Sequence, residues 1–295
     1  MLAQQVFNGI TMGAVYAIFA LGLTLVFGLL KILNLAHGAV FMVGALVSLY
    51  AVTAWGVGLP LAFLLAMLSG GAVSVGLELL VFRPLRRRQG DELSTVVAGV
   101  GANLVLMTIA QQLTNAENMR FPFGTFPVQF YRGFGLRVSL QDIAIITAAA
   151  LMVVGLVIYL FRTRAGTEVR AIAVNERTSM LLGVNPNAIY LQVFFAAGAL
   201  AGAAGTILGI AFNSVGYAMG ENILLQAFVI IVLGGLSSVV GTIVAGIFIG
   251  IVQALATGYL SAELSEIILF GILFLVLLMR PSGLFPGLHV EHRVA

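Results

Sequence analysis

Apolar runs of bilayer-crossing length alternate with short polar stretches along nearly the whole chain. They fall at about 6–29, 35–54, 60–82, 94–113, 140–161, 190–212, 239–260 and 266–279, with a shorter run at about 223–236. A helix needs roughly 20 apolar residues to span, so the run at 266–279 has to recruit its flanks. The pattern predicts an all-α polytopic membrane protein, one domain over 1–295, with 8–9 transmembrane helices. Two places break the rhythm. KILNLAHGAV (31–40) carries Asn34 and His37 at i, i+3 before Gly38. VLGGLSSVVG (232–241) sets Gly234, Gly235 and two serines between apolar runs. Interruptions in both halves are the pattern of discontinuous helices lining a transport path, and their similar layout hints at an internal repeat. Asn34, His37, Gly38, Asn103, Gly234 and Gly235 are the candidate pathway positions.

Composition agrees. Of 295 residues, 61% are hydrophobic and 8% charged, more apolar surface than a soluble domain of this length hides. Thirty-five glycines against seven prolines suit helices packed closely through small residues. The net charge of +3 comes almost wholly from arginine, Lys31 being the only lysine. On such a chain this reads as topology, not nucleic-acid binding. No cysteine is present, which excludes disulfides, thiolate metal sites and thiol nucleophiles. No positive segment precedes the first apolar run, so no cleaved signal peptide is expected.

Arginine sets the orientation. The 83–92 loop packs Arg83, Arg86, Arg87 and Arg88 beside a span end, the 162–189 loop carries Arg162, Arg164, Arg170 and Arg177, and the tail begins at Arg280. By the positive-inside rule these three are cytoplasmic. The 114–139 segment is then external, despite Arg120, Arg132 and Arg137; its prolines and aromatics, Phe134 among them, suit an interfacial cap. The N-terminus lies outside and Lys31 at the inner end of the first span. Nine crossings fit best, with eight plus a re-entrant segment as the alternative.

The 161–189 stretch, FRTRAGTEVRAIAVNERTSMLLGVNPNAI, is the longest polar, helix-compatible segment between the apolar runs. Glu168 is placed early, where an acid suits a helix start, and Gly183 followed by Pro186 is a stop signal. On one continuous helix Arg170 and Arg177 share a face; alternatively Asn175 caps a second short helix over 176–182. Either way a short basic helix is presented at the membrane surface, as a solvated loop or as a docking element that receives force from a partner.

Chemistry is sparse. His37 has no Cys or second His nearby to make a metal site. Asn34 and Asn103 are costly in lipid unless bonded and serve as helix staples or path contacts. Glu78 is expected to pair with Arg83. Glu221 and Asn222 are placed at the outer end of a span. No acid–base or nucleophile constellation points to catalysis. The sole lysine follows Leu30 and precedes Ile32, so no phosphate-binding loop exists and ATP-driven work requires a separate subunit. No mid-membrane Asp or Glu is expected, which argues against ion coupling.

Several stretches resemble the permease subunits of branched-chain amino acid ABC importers: FNGITMGAVYAIFALGLTLVFGLLKILNLAHGAVFMVGA, ELLVFRPLR, RAGTEVRAIAVNERTSMLLGVN, VLGGLSSVVGTIVAGIFIGI and the closing MRPSGLFPG. The likeness covers essentially the whole chain and is to the first of the family's two permease types. It implies an ABC importer permease fold and a non-catalytic, multi-pass subunit of the bacterial inner membrane. It also implies a second related permease, two ABC ATPase subunits that use the ATP, and a periplasmic substrate-binding protein. Under it 162–189 becomes a cytoplasmic coupling-helix loop, with Arg164, Gly166, Arg170, Asn175, Arg177, Gly183 and Asn185 as ATPase-coupling residues. ATP-driven closure would tilt the flanking spans, 142–161 and 190–212. Family members often carry a lysine at the position of Gln226 and an acid at that of Gln253. Both are neutral here, which leaves a urea or short-chain amide permease of the same architecture as an alternative. The alternative of another class is an ion-coupled secondary carrier or channel.

Overall fold

The computed structural model describes residues 2–88, 91–127, 129–133 and 136–285. Gln89, Gly90, Phe134 and the final Pro286 and Gly287 of the closing motif lie outside them. Among the described residues, seven helices are long and apolar enough to cross a membrane, and two more are shorter.

The first span is α1, Leu2–Leu23, continued by a π-helical stretch, Thr24–Leu29. The chain turns back through Lys31, which takes a left-handed conformation, and α2 runs His37–Thr53. Then α3, Leu59–Leu77, passes through a π turn, Glu78–Phe82, into α4, Arg83–Arg87. The return span is α5, Glu92–Leu113. A hairpin of β1, Phe130–Gly133, and β2, Leu136–Ser139, pairs Phe130 with Ser139. It leads into α6, Leu140–Arg162. Ser139 and Asp142 cap that helix reciprocally, each side chain accepting the other's backbone N–H at 2.9–3.0 Å. Two short helices follow, α7 at Arg164–Val174 and α8 at Glu176–Leu181, then the long α9, Pro186–Phe212. The chain ends in α10, Met219–Gly234, α11, Val239–Tyr259, and α12, Ala262–Met279. The last span has recruited its flank, beginning four residues before the apolar run.

Close helix crossings are made by glycine. On α1, Gly9 and Gly13 lie against the backbone around Gly246 and Gly250 of α11, and Gly70 of α3 lies against Gly198 of α9. A side chain at any of these would collide with backbone, so the approach depends on small residues, as expected where helices associate by packing in lipid. The buried hydroxyls of Thr24 and Thr242 add a 2.8 Å bond between the π-helical continuation of α1 and α11.

These contacts reveal an inverted repeat. As α1 packs on α11, so α9 packs on α3; as α2 packs on α9, so α10 packs on α1. Each leading helix ends near a non-glycine residue in the left-handed region, Lys31 after α1 and Asn213 after α9. Seven residues beyond each lies a glycine, Gly38 and Gly220, and the two meet backbone to backbone. The repeat therefore pairs the break at 31–40 with 213–220. The 232–241 segment is instead the turn joining α10 to α11.

Candidate functional site

Most of the candidate residues among the described ones fall in two regions: the end bearing α7 and α8, and the crossing of the interrupted helices.

The 162–189 segment is a fixed double elbow. Thr163 starts α7 by accepting from Gly166 N at 3.0 Å, while its hydroxyl donates to the Tyr159 carbonyl. Gly166 lies against the backbone of Tyr159 and Leu160, and Val169 and Ile172 bury the inner face of α7. Arg170 turns inward: its guanidinium donates to the Leu160 carbonyl at the end of α6 and sits over the Phe161 ring. Asn175 then breaks the helix. It ends α7 and caps α8, accepting from Thr178 N at 3.0 Å. The two-helix alternative is therefore the observed one. Arg170 and Arg177 do not share a face: Arg170 anchors the elbow while Arg177 is exposed. Glu168 falls beyond the first turn of α7, because the helix begins at Arg164. At Gly183, with φ of +89°, the chain leaves α8 through bonds from Gly183 N to Met180 O and Val184 N to Ser179 O. Asn185 caps α9 through Asn187 N, so Pro186 opens that helix as well as closing the elbow.

The elbow is tied to the bundle by a polar chain. Glu176 of α8 accepts from the Tyr190 hydroxyl at 3.3 Å. Arg86 of α4 lies 3.6 Å from the centre of the Tyr190 ring and pairs with Glu78 at 2.6 Å. The partner of Glu78 is thus Arg86, not Arg83. The π turn between them alters the facing that regular helical spacing implies, and the Arg86 side chain leans back along the helix. Outward the elbow presents Val174, Met180, Leu181 and Leu182, the last two 88% and 79% exposed, beside Arg164 and Arg177. The apolar members were not singled out from the sequence. Their signal in the sequence is the apolar trio Met180, Leu181 and Leu182 closing an otherwise polar stretch.

At the crossing, Asn34 and His37 are fully buried. Asn34 Oδ1 accepts from Ala36 N at 3.1 Å, while its amide nitrogen has no partner. His37 Nε2 faces the Phe19 carbonyl at 3.4 Å, and its ring lies 4.8 Å from that of Phe19. Gly38 meets Gly220. The other pathway candidates are elsewhere: Asn103 is half-buried on α5, Gly234 packs on Gly241, and Gly235, at φ +102°, packs on the Phe285 carbonyl. The structure also moves Glu221 and Asn222. They follow Gly220, which touches Gly38 beside His37, and His37 reaches Phe19 well inside α1. They therefore lie deep in the span, not at its outer end, and a carboxylate occurs at membrane depth after all.

The model of a family described as the permease component of branched-chain amino acid transport systems matches residues 5–277. The high-affinity branched-chain amino acid transport permease BraD of Pseudomonas aeruginosa is 30% identical, over 98% of this chain and 97% of its own. The corresponding permease LivH of Escherichia coli is 29% identical, over 98% and 96%. The permease LivM of Escherichia coli is 29% identical over 94% of this chain and 69% of its own length. No solved structure matches the chain.

Proposed function

This chain belongs to the family of branched-chain amino acid transport permeases, and from that premise we propose that it is the membrane-spanning half of an ATP-driven importer of hydrophobic amino acids. As a transport subunit it is not itself an enzyme. The similarity extends to both LivH and LivM relatives, which supports pairing with a second, related permease. We place the pair in the bacterial inner membrane, with the arginine-rich end, α7 and α8 included, in the cytoplasm.

The observation that carries the coupling assignment is the elbow. Its outer surface is an exposed apolar and basic knob, Leu181, Leu182 and Arg177, of the kind that inserts into a partner's groove. Its inner surface is fastened to α6 through Arg170 and to α9 and α4 through Glu176, Tyr190 and Arg86. A push on the knob is thereby delivered to α4, α6 and α9. Two ATPase subunits, one on each permease, supply the push, and a periplasmic binding protein supplies the solute. Alternating access follows from tilting these helices about the glycine crossings. The test is co-purification: wild-type chain captures the ATPase, whereas Leu181→Ser/Leu182→Ser leaves it behind while the permease stays folded. Full capture by that variant contradicts the docking role.

A further inference from the structure

We infer that the outer face of α10, formed by Glu221, Asn222, Leu225 and Gln226, is the amino-acid-recognising wall of the translocation path, with Glu221 receiving the substrate's ammonium group. This rests on the transport reading above and deepens it.

Gly220 meets Gly38, and the adjoining His37 reaches the Phe19 carbonyl inside α1 and packs against Gly22. From there α10 runs to the basic end, where Leu236 meets Gly28 and Ser237 donates to the Gly28 carbonyl at 3.0 Å. The helix therefore starts near the middle of the span. Its first turn nevertheless exposes Glu221 and Asn222 on the protomer surface. A carboxylate at that depth is not stable against acyl chains; such residues face a wet cavity or another subunit.

The polarity continues along one face. Glu221 and Leu225, and Asn222 and Gln226, are i, i+4 pairs and so share a side of the helix. Leu225 is 60% exposed and Gln226 half-buried. Behind them the hydroxyl of Tyr16 on α1 faces Gln226 and Gln253. The Gln253 side-chain oxygen is buried without a hydrogen-bond partner. Three helices thus bring polar groups to one strip of an otherwise apolar bundle. The set matches a zwitterion with an apolar side chain: a carboxylate for the ammonium, the Asn222 amide for the carboxylate, and Leu225 for the side chain. A urea or simple amide offers no cation for Glu221.

The cysteine-free chain allows a direct test in the complete importer reconstituted in proteoliposomes. Single variants Glu221→Cys and Asn222→Cys are treated with a charged, membrane-impermeant thiol reagent, beside Phe274→Cys on the exposed face of α12. Modification of the first two and not the third is expected, with labelling slowed several-fold by saturating L-leucine. In parallel, Glu221→Gln is expected to lower L-leucine uptake at least tenfold and Glu221→Asp to restore most of it, with ATPase capture unchanged in both. Unreactive cysteines at 221 and 222, or wild-type uptake by Glu221→Gln, overturn the inference. Failure of the wild-type assembly to import L-leucine strikes the transport reading instead, and the labelling pattern still reports whether the face is wet.

Discussion

Arg86 holds its guanidinium 3.6 Å from the centre of the Tyr190 ring while one of its nitrogens lies 2.6 Å from Glu78. One cation thus joins α4 to α9 and satisfies a carboxylate whose side chain is 1% exposed. Removing it strands Glu78. Arg86→Ala is expected to destabilise the permease by about 3–5 kcal/mol, the usual cost of orphaning a buried charge. Glu78→Gln/Arg86→Leu, which removes both charges, is expected to lose much less. Thermal unfolding of the purified chain in detergent distinguishes them, and equal losses contradict the pairing.

Tyr190 has a separable role. Tyr190→Phe keeps the ring under Arg86 and deletes the bond to Glu176. The variant should assemble with its ATPases and hydrolyse ATP, but import fewer solute molecules per ATP, by roughly twofold to fivefold, an effect worth about 0.4–1 kcal/mol of coupling. An unchanged ratio removes Tyr190 from the transmission path.

The elbow's arginines should behave differently. Arg177 is exposed beside Leu181 and Leu182, whereas Arg170 is spent on the Leu160 carbonyl and the Phe161 ring. Arg177→Glu is expected to weaken ATPase capture without changing hydrogen exchange in α7. Arg170→Gln is expected to raise exchange in α7 first. The opposite assignment follows if Arg170 is the docking contact.

Asn175 is the hinge of the elbow. Asn175→Ala removes the cap on α8 at a cost of about 1 kcal/mol, which frays Glu176–Leu181 and loosens the Tyr190 bond. Faster amide exchange confined to α8, with reduced uptake, is the expected result; unchanged exchange in α8 contradicts the cap.

The helical spans and the basic elbow are legible in the sequence, and the Asn175 cap is legible as one of two readings, because each rests on local signals: apolar run length, arginine placement and a capping residue. What escaped depends on contacts between distant segments. Glu78 was matched to the nearer Arg83 because a π turn leaves no mark in hydropathy. Glu221 was placed at a span's end because the start of α10 at mid-depth is set by the meeting of Gly38 and Gly220, 182 positions apart. The repeat is faint in the sequence because 213–220, the segment that matches 31–40, lacks the paired glycines of 232–241.

The central claim is that a separate motor works this glycine-packed conduit through the α7–α8 elbow. It is tested most directly by L-leucine uptake into proteoliposomes holding both permeases and the binding protein, with and without the ATPase subunits and ATP. The account predicts accumulation only when ATPase and ATP are both present, and its loss with Leu181→Ser/Leu182→Ser. Undiminished uptake with the ATPase left out contradicts it.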